Sequence, residues 1–171
     1  MRARSGGIRG ADGKSGNYCC RAMRRVWRSL HHKQVALEAL CLMATARFCM
    51  LFIPFRRLAP HLGTIHTDTL MDPRSQGNPQ LIEIKRTVHR IGKKTWWKSE
   101  CFVRASAIAW MLRRRGRGYT IYLGVAKDEA QQLIAHAWIR SGAQWMSGAG
   151  QRDRYTVVAT FSAQPRRKDT P

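Results

Sequence analysis

The sequence predicts an α+β protein in which a helical amino-terminal region precedes a helix packed on a small antiparallel sheet. Apolar residues recur every three or four positions over residues 21–52, which is the spacing of an amphipathic helix. A second helical pattern starts at Cys101 and ends in Arg-Arg-Arg-Gly at residues 113–116, where cations and a glycine are typical of a helix carboxyl end. Three runs rich in β-branched and aromatic residues predict strands at residues 119–125, 133–139 and 155–161.

The domain boundaries follow from changes in composition. The sequence predicts a disordered basic arm at residues 1–20, a helical region at 21–92, the helix-and-sheet core at 93–163 and a flexible polar tail at 164–171. Within the helical region it predicts a helix end at Pro54, a short basic connection at 55–63, a polar linker at 64–79 and a further helix at 81–91.

The composition favours one core and an anionic partner. The chain has 171 residues, 44% of them hydrophobic, and a formal net charge of +21 from 31 Lys and Arg against 10 Asp and Glu. Such a surface attracts polyanions, acidic peptides or anionic lipids. The charge is spread along the chain, and no helix-turn-helix, zinc-finger or aromatic RNA-binding pattern occurs. We therefore expect no specific nucleic acid as partner, while a basic nucleic-acid-binding protein without catalysis stays an alternative.

The cysteines predict a reducing compartment. Their positions, 19, 20, 41, 49 and 101, lack the spacing of a disulfide framework, so we expect a cytoplasmic protein. No zinc-binding spacing and no phosphate-binding glycine loop occurs in the sequence. We expect no metal, no cofactor and no bound ATP.

Residues 35–53 are apolar enough to raise the question of a membrane span. Glu38 and Arg47 lie inside this run, and each charge near a bilayer centre costs roughly 2.5–3.5 kcal/mol. The length only just suffices to cross a bilayer. We expect a buried or interfacial helix, so membrane association stays open without being favoured.

Cys101 is the candidate nucleophile. It follows polar residues 98–100, among which Ser99 is the expected cap, and stands in the first turn of its helix. There the unpaired amide N–H groups and the positive end of the helix dipole favour the reactive thiolate, and the same amides can bind an oxyanion. The alternative is a small buried hydrophobic residue.

His136 is the candidate base. Ile134, His136 and Trp138 share one face of the second predicted strand, because side chains alternate with a period of two. Standing alone, such a histidine would be interpreted as a core residue. A strand that passes the amino end of the Cys101 helix would bring the imidazole to the thiol, as a cysteine nucleophile requires.

Five short motifs lie in and around the predicted core: Cys-Phe-Val-Arg-Ala at 101–105, Leu-Arg-Arg-Arg-Gly at 112–116, Leu-Gly-Val at 123–125, Ala-His-Ala-Trp at 135–138 and, upstream, Pro-Phe-Arg-Arg-Leu-Ala-Pro at 54–60. Together they resemble those of a known family, the stand-alone leader peptidase of lasso-peptide biosynthesis. The resemblance covers about residues 22–161. It implies a transglutaminase-like or papain-like core with catalytic order Cys, His, Asp.

The resemblance also implies a reaction and partners. Cys101 attacks the peptide bond between leader and core of a ribosomally made lasso precursor, with His136 as general base and then acid. A separate leader-binding recognition protein presents the leader, and an ATP-dependent lasso cyclase takes the core peptide. A transglutaminase-like acyl transferase stays an alternative, since it would share thiol and imidazole and differ in the acceptor.

The third catalytic residue departs from the family pattern. The resemblance places an aspartate about a dozen residues after the histidine, where this sequence has Gly148 or Ala149. Asp153 is the nearest carboxylate, and we expect it to orient the imidazole through its other ring nitrogen. The alternatives are a solvated loop charge at Asp153 and orientation by a backbone carbonyl or by the amide of Gln144 or Gln151.

Two tryptophans are candidates for substrate binding. Trp96 and Trp97 lie just before Cys101, and we expect Trp97 to wall the substrate cleft and Trp96 to pack. The alternative is that both cover the core where the helix starts. Trp138, on the same strand face as His136, is the second expected substrate contact.

Overall fold

The computed structural model describes residues 15–95 and 100–165, with side chains from residue 29 onward. The helices are α1 Ser15–Phe52, α2 Phe55–Leu62, α3 Pro79–Lys94 and α4 Cys101–Arg114, with 3-10 helices at Pro73–Ser75 and Ala149–Arg154. The strands are β1 Thr64–Ile65, β2 Tyr119–Lys127, β3 Leu133–Ser141, β4 Gln144–Ser147 and β5 Thr156–Ala163.

The chain divides into two compact units, Met1–Gln34 and Val35–Pro171. The described part of the first unit is the start of α1, and the second unit contains the remaining elements. Residues 15–20, expected in a disordered arm, are helical. The rest of that arm and the tail from residue 166 lie outside the described residues.

The strands form one antiparallel sheet in the order β1-β5-β2-β3-β4. In its central pair Gly124 lies opposite His136 and Tyr122 opposite Trp138. Helix α4 packs on one face, because its buried apolar residues form a single core with alternate residues of the strands. That core includes Val103, Ile108, Met111, Leu112, Ile121, Ala137, Ile139 and Phe161. The predicted α+β class is confirmed.

The other face of the sheet holds a polar cluster around a buried guanidinium. Arg140 is 2% exposed and donates to Asp68 Oδ1 at 2.5 Å, to Thr69 O at 2.6 Å and to Tyr122 Oη at 2.7 Å. Thr120 also donates to Asp68, at 2.6 Å. Residues 64–79, predicted as a polar linker, are therefore hydrogen-bonded to the sheet through Asp68 and Thr69. They also include β1, which pairs with β5.

Two further elements differ from the sequence prediction. Residues 55–62, expected as part of a connection, form α2, whose Leu58 and Leu62 are buried. Strand β4 was not predicted, and it pairs with β3 only at Ile139–Ser141. On the side of β3 that faces β4, residues 133–138 therefore have no strand partner among the described residues.

Helix α1 contains a segment that could cross a membrane by length and composition. Among the described residues, Ser29–Phe52 is the one such segment, and 22% of its most apolar 18-residue stretch is buried.

Candidate active site

Helix α4 begins at Cys101, so its sulfur stands beside the free amide groups of the first turn. The N-cap residue is Glu100, and its side chain makes no capping hydrogen bond. The Glu100 carboxylate instead accepts a hydrogen bond from Arg47 Nη1 at 3.1 Å. Ser99, the predicted cap, lies outside the described residues. Among the described residues, the Glu100 side chain therefore does not cap the first-turn N–H groups of α4, and such groups can bind an oxyanion.

The half-buried thiol of Cys101 lies against strand β3. Its Sγ accepts a hydrogen bond from the backbone N–H of Ala137 at 3.3 Å. This contact is made on the strand edge that β4 does not reach, since β4 pairs only from Ile139 onward. The predicted nucleophile thus contacts the residue that follows the predicted base.

His136 is held by a backbone carbonyl. Its Nε2 lies 2.9 Å from the carbonyl oxygen of Gly148. A carbonyl oxygen can only accept a hydrogen bond, so Nε2 must carry the proton. In the neutral ring Nδ1 is then the basic nitrogen, which is the form that a general base for a thiol requires.

Gly148 occupies this place because a side chain does not fit there. Its φ is +75°, a conformation that glycine adopts without strain. A Cβ at this position would lie 2.4 Å from Ala137 O and 2.9 Å from Trp138 Cβ. The resemblance expected an aspartate here or at the next residue, and the backbone of Gly148 makes the contact instead.

Aromatic rings support the imidazole of His136. The ring centroid of Tyr155 lies 5.0 Å from that of His136, and the Trp138 centroid lies 5.9 Å away. Trp138 stacks on Tyr122 and is 3% exposed. Gly124 allows this packing, since a Cβ there would lie 2.6 Å from the Trp138 ring. Substrate contact by Trp138 stays a prediction, and in the structure its ring contacts those of His136, Tyr122 and Tyr155.

Asp153 lies in the 3-10 helix after β4 and faces solvent. Its side chain is 89% exposed, and its carboxylate lies 3.3 Å from Arg152 Nε. An orienting role for Asp153 stays a prediction. The amide of Gln144 is engaged elsewhere, since it accepts from Gly77 N at 3.3 Å and donates to Trp145 O at 3.2 Å. Trp96 and Trp97 lie outside the described residues.

Cys101 and His136 both line one cavity of about 400 Å³. Cys101, His136 and Glu100 line it together with apolar residues from α1, α2, α4 and three strands. The apolar lining comprises Met50, Ile53, Phe55, Leu58, Phe102, Leu123, Val125, Ala135, Ala137 and Val158. The cavity can accept one or two apolar side chains next to the sulfur.

A hydrogen-bonded cysteine at a helix amino terminus, beside a strand histidine, is the arrangement of a thiol acyl-transfer site. Comparison with curated proteins and with solved structures gave no match. Residues 49–160 match the family described as the transglutaminase-like superfamily, which includes cysteine peptidases and acyl transferases. This match covers about two thirds of the chain and includes both Cys101 and His136. The protein therefore belongs to the transglutaminase-like superfamily.

Proposed function

We propose that this protein is a cysteine peptidase that removes the leader from a lasso-peptide precursor. The observation that supports thiol catalysis most is the 3.3 Å contact between Cys101 Sγ and the N–H of Ala137, next to His136. The motifs shared with the lasso leader peptidase favour this substrate within the superfamily. The apolar cavity beside the sulfur suits a peptide side chain better than a polar small molecule.

The first chemical step is acylation of Cys101. Nδ1 of His136 takes the thiol proton, and the sulfur adds to the scissile carbonyl carbon. Amides of the first turn of α4 stabilise the oxyanion that forms. The imidazolium then gives its proton to the departing amine, the C–N bond breaks, and the core peptide leaves with a free amino terminus. The leader stays bound as a thioester.

The second step releases the leader. His136 takes a proton from water, hydroxide adds to the thioester carbonyl, and the C–S bond breaks as the proton returns to sulfur. The Gly148 carbonyl keeps the imidazole oriented through both steps, because it accepts from Nε2–H in the neutral ring and in imidazolium.

The partners belong to the same proposal. A separate recognition protein presents the leader, and an ATP-dependent cyclase uses the released core peptide, so the protein works in the cytoplasm. The net charge of +21 would favour docking to an acidic leader or an acidic partner surface.

An acyl transferase would use the same thioester with an amine in place of water. The test is mass spectrometry of a lasso precursor incubated with the protein and its leader-binding partner, with and without a small primary amine. The proposal expects free core peptide and a leader whose new end is a carboxylate. A leader that ends in the added amide would favour the transferase. An intact precursor, from a preparation whose Cys101 reacts with a thiol probe, would refute the peptidase.

A further inference from the structure

The carboxyl-terminal half of α1 exposes an uncharged apolar surface next to the cavity. From residue 35 to residue 52, none of the exposed residues is charged. We name the apolar ones the α1 stripe; they are Leu37, Leu40, Cys41, Ala44, Phe48, Leu51 and Phe52. At 1.5 Å per residue the stripe is about 24 Å long. An exposed apolar surface of this size marks an interaction site.

The rest of the second unit fixes the orientation of this helix. Its opposite side is buried through Val35, Ala39, Met43 and Ala46, which belong to the core of that unit. The two charged residues in the segment form ion pairs, Glu38 with Arg115 at 2.6 Å and Arg47 with Glu100 at 3.1 Å. A helix with one side in the protein core cannot be surrounded by lipid. The segment therefore cannot cross a bilayer in this conformation, while its exposed side can lie in the membrane interface.

The charge of the chain indicates what covers the stripe. A second copy would bring two surfaces of net charge +21 together, and their repulsion opposes a dimer. Anionic lipid instead neutralises this charge. Arg56 and Arg57, both exposed, come four and five residues after Phe52, the last residue of the stripe. Their cations can meet lipid phosphates while the exposed rings of Phe48 and Phe52 enter the membrane interface.

We propose that the α1 stripe docks the protein on the surface of an anionic membrane. Met50, near the carboxyl end of α1, and Ile53, just after that helix, line the cavity that contains Cys101. Docking would therefore hold the cavity close to the lipid surface. The stripe would bind lipid whether or not Cys101 cleaves a peptide, so the two proposals can fail separately.

The test is co-sedimentation of the full chain with vesicles of phosphatidylcholine, alone or mixed with phosphatidylglycerol. We expect binding to the mixed vesicles that weakens as salt is added. Replacing both exposed rings, Phe48→Gln with Phe52→Gln, should lower the partition coefficient at least tenfold. Removing the cations, Arg56→Gln with Arg57→Gln, should lower it about fivefold per charge.

A matched control removes two apolar side chains outside the stripe. Leu70 and Met71 are 88% and 61% exposed, so Leu70→Gln with Met71→Gln should leave vesicle binding unchanged. Unchanged thermal unfolding of each variant shows that the fold is retained. Absence of binding, or equal binding by the Phe48 and Phe52 double variant, overturns the proposal. So does a dimer in light scattering that this double variant dissociates, since the stripe would then bind a second copy.

Discussion

The carbonyl oxygen of Gly148 lies 2.9 Å from Nε2 of His136, twelve residues upstream. A neutral group thus makes the contact that the family pattern assigns to a carboxylate. It fixes the ring and its tautomer without adding charge to the site. It also depends on backbone geometry, since no side chain at residue 148 is needed.

Gly148→Ala should reduce activity although it removes no functional side chain. The new Cβ would lie 2.4 Å from Ala137 O, and φ is +75°, so the carbonyl must move away from His136. We expect at least a tenfold loss of kcat and a loss of about 1–3 kcal/mol in unfolding free energy. Gly150→Ala is the matched control, because its Cβ would meet nothing within 4 Å. Equal kcat for the two variants would contradict the role of the Gly148 carbonyl.

Asp153→Ala compares the two groups that could orient the imidazole. The Asp153 side chain is 89% exposed and lies beside Arg152. If the Gly148 carbonyl orients the ring, the variant should cleave the precursor within about twofold of the wild-type rate. A loss of tenfold or more in kcat, with an unchanged melting temperature, would instead support Asp153 as the orienting residue.

The cavity should make cleavage sensitive to the residues next to the scissile bond. Its lining is apolar except at Glu100, Cys101 and His136, so burying a charged substrate side chain there is unfavourable. In two precursor variants, Asp replaces the residue on one side or the other of the scissile bond. At least one of these variants should be cleaved with a kcat/KM at least tenfold lower than that of the unchanged precursor. The same change far from the bond serves as control. Equal kcat/KM for every peptide would show that the cavity does not bind the substrate.

Asp68→Asn tests the polar cluster on the other face of the sheet. Burial alone would raise the pKa of Asp68, but hydrogen bonds from Thr120 and Tyr122 and the charge of Arg140 hold this pKa below its usual value. The ionised Asp68 carboxylate therefore stabilises the folded state fully above its unfolded-state pKa of about 3.9. This stabilisation is lost as the pH falls through the lower folded-state pKa.

Near neutral pH we expect Asp68→Asn to cost about 2–3 kcal/mol of unfolding free energy. That is less than the roughly 3–5 kcal/mol of a fully buried pair, since Asp68 is 51% exposed while Arg140 is 2% exposed. Denaturant unfolding from neutral to acidic pH measures the difference, which should shrink as acid protonates Asp68. Glu129→Gln, in an exposed loop, is the control. A difference that stays constant down to acidic pH would show that the Asp68 charge is not responsible.

The local features of the site could be predicted from the sequence because they depend on short patterns. Apolar spacing placed Cys101 in the first turn of a helix, which begins at that residue. The glycine expected after that helix is Gly116, with φ of +65°. Strand composition placed His136 on the middle strand of three, and β3 spans Leu133–Ser141.

The contacts across the chain could not be predicted in this way. The Arg140 to Asp68 pair joins residues 72 positions apart, and a polar run such as 64–79 looks like a linker when its partner is unknown. Likewise, no residue type signals that a backbone carbonyl will orient His136. The sequence does show a glycine, Gly148, at the position of the expected aspartate. Its role can be understood only from the structure, which gives its positive φ and shows that a Cβ would not fit there.

The most direct measurement is the cleavage rate of a lasso precursor by Cys101→Ala and by Cys49→Ala. Both residues are free, half-buried cysteines, so the pair separates loss of the proposed nucleophile from loss of any thiol. We predict that Cys101→Ala leaves the precursor intact while Cys49→Ala cleaves it at about the wild-type rate. Cleavage by Cys101→Ala at the wild-type rate would contradict the central claim.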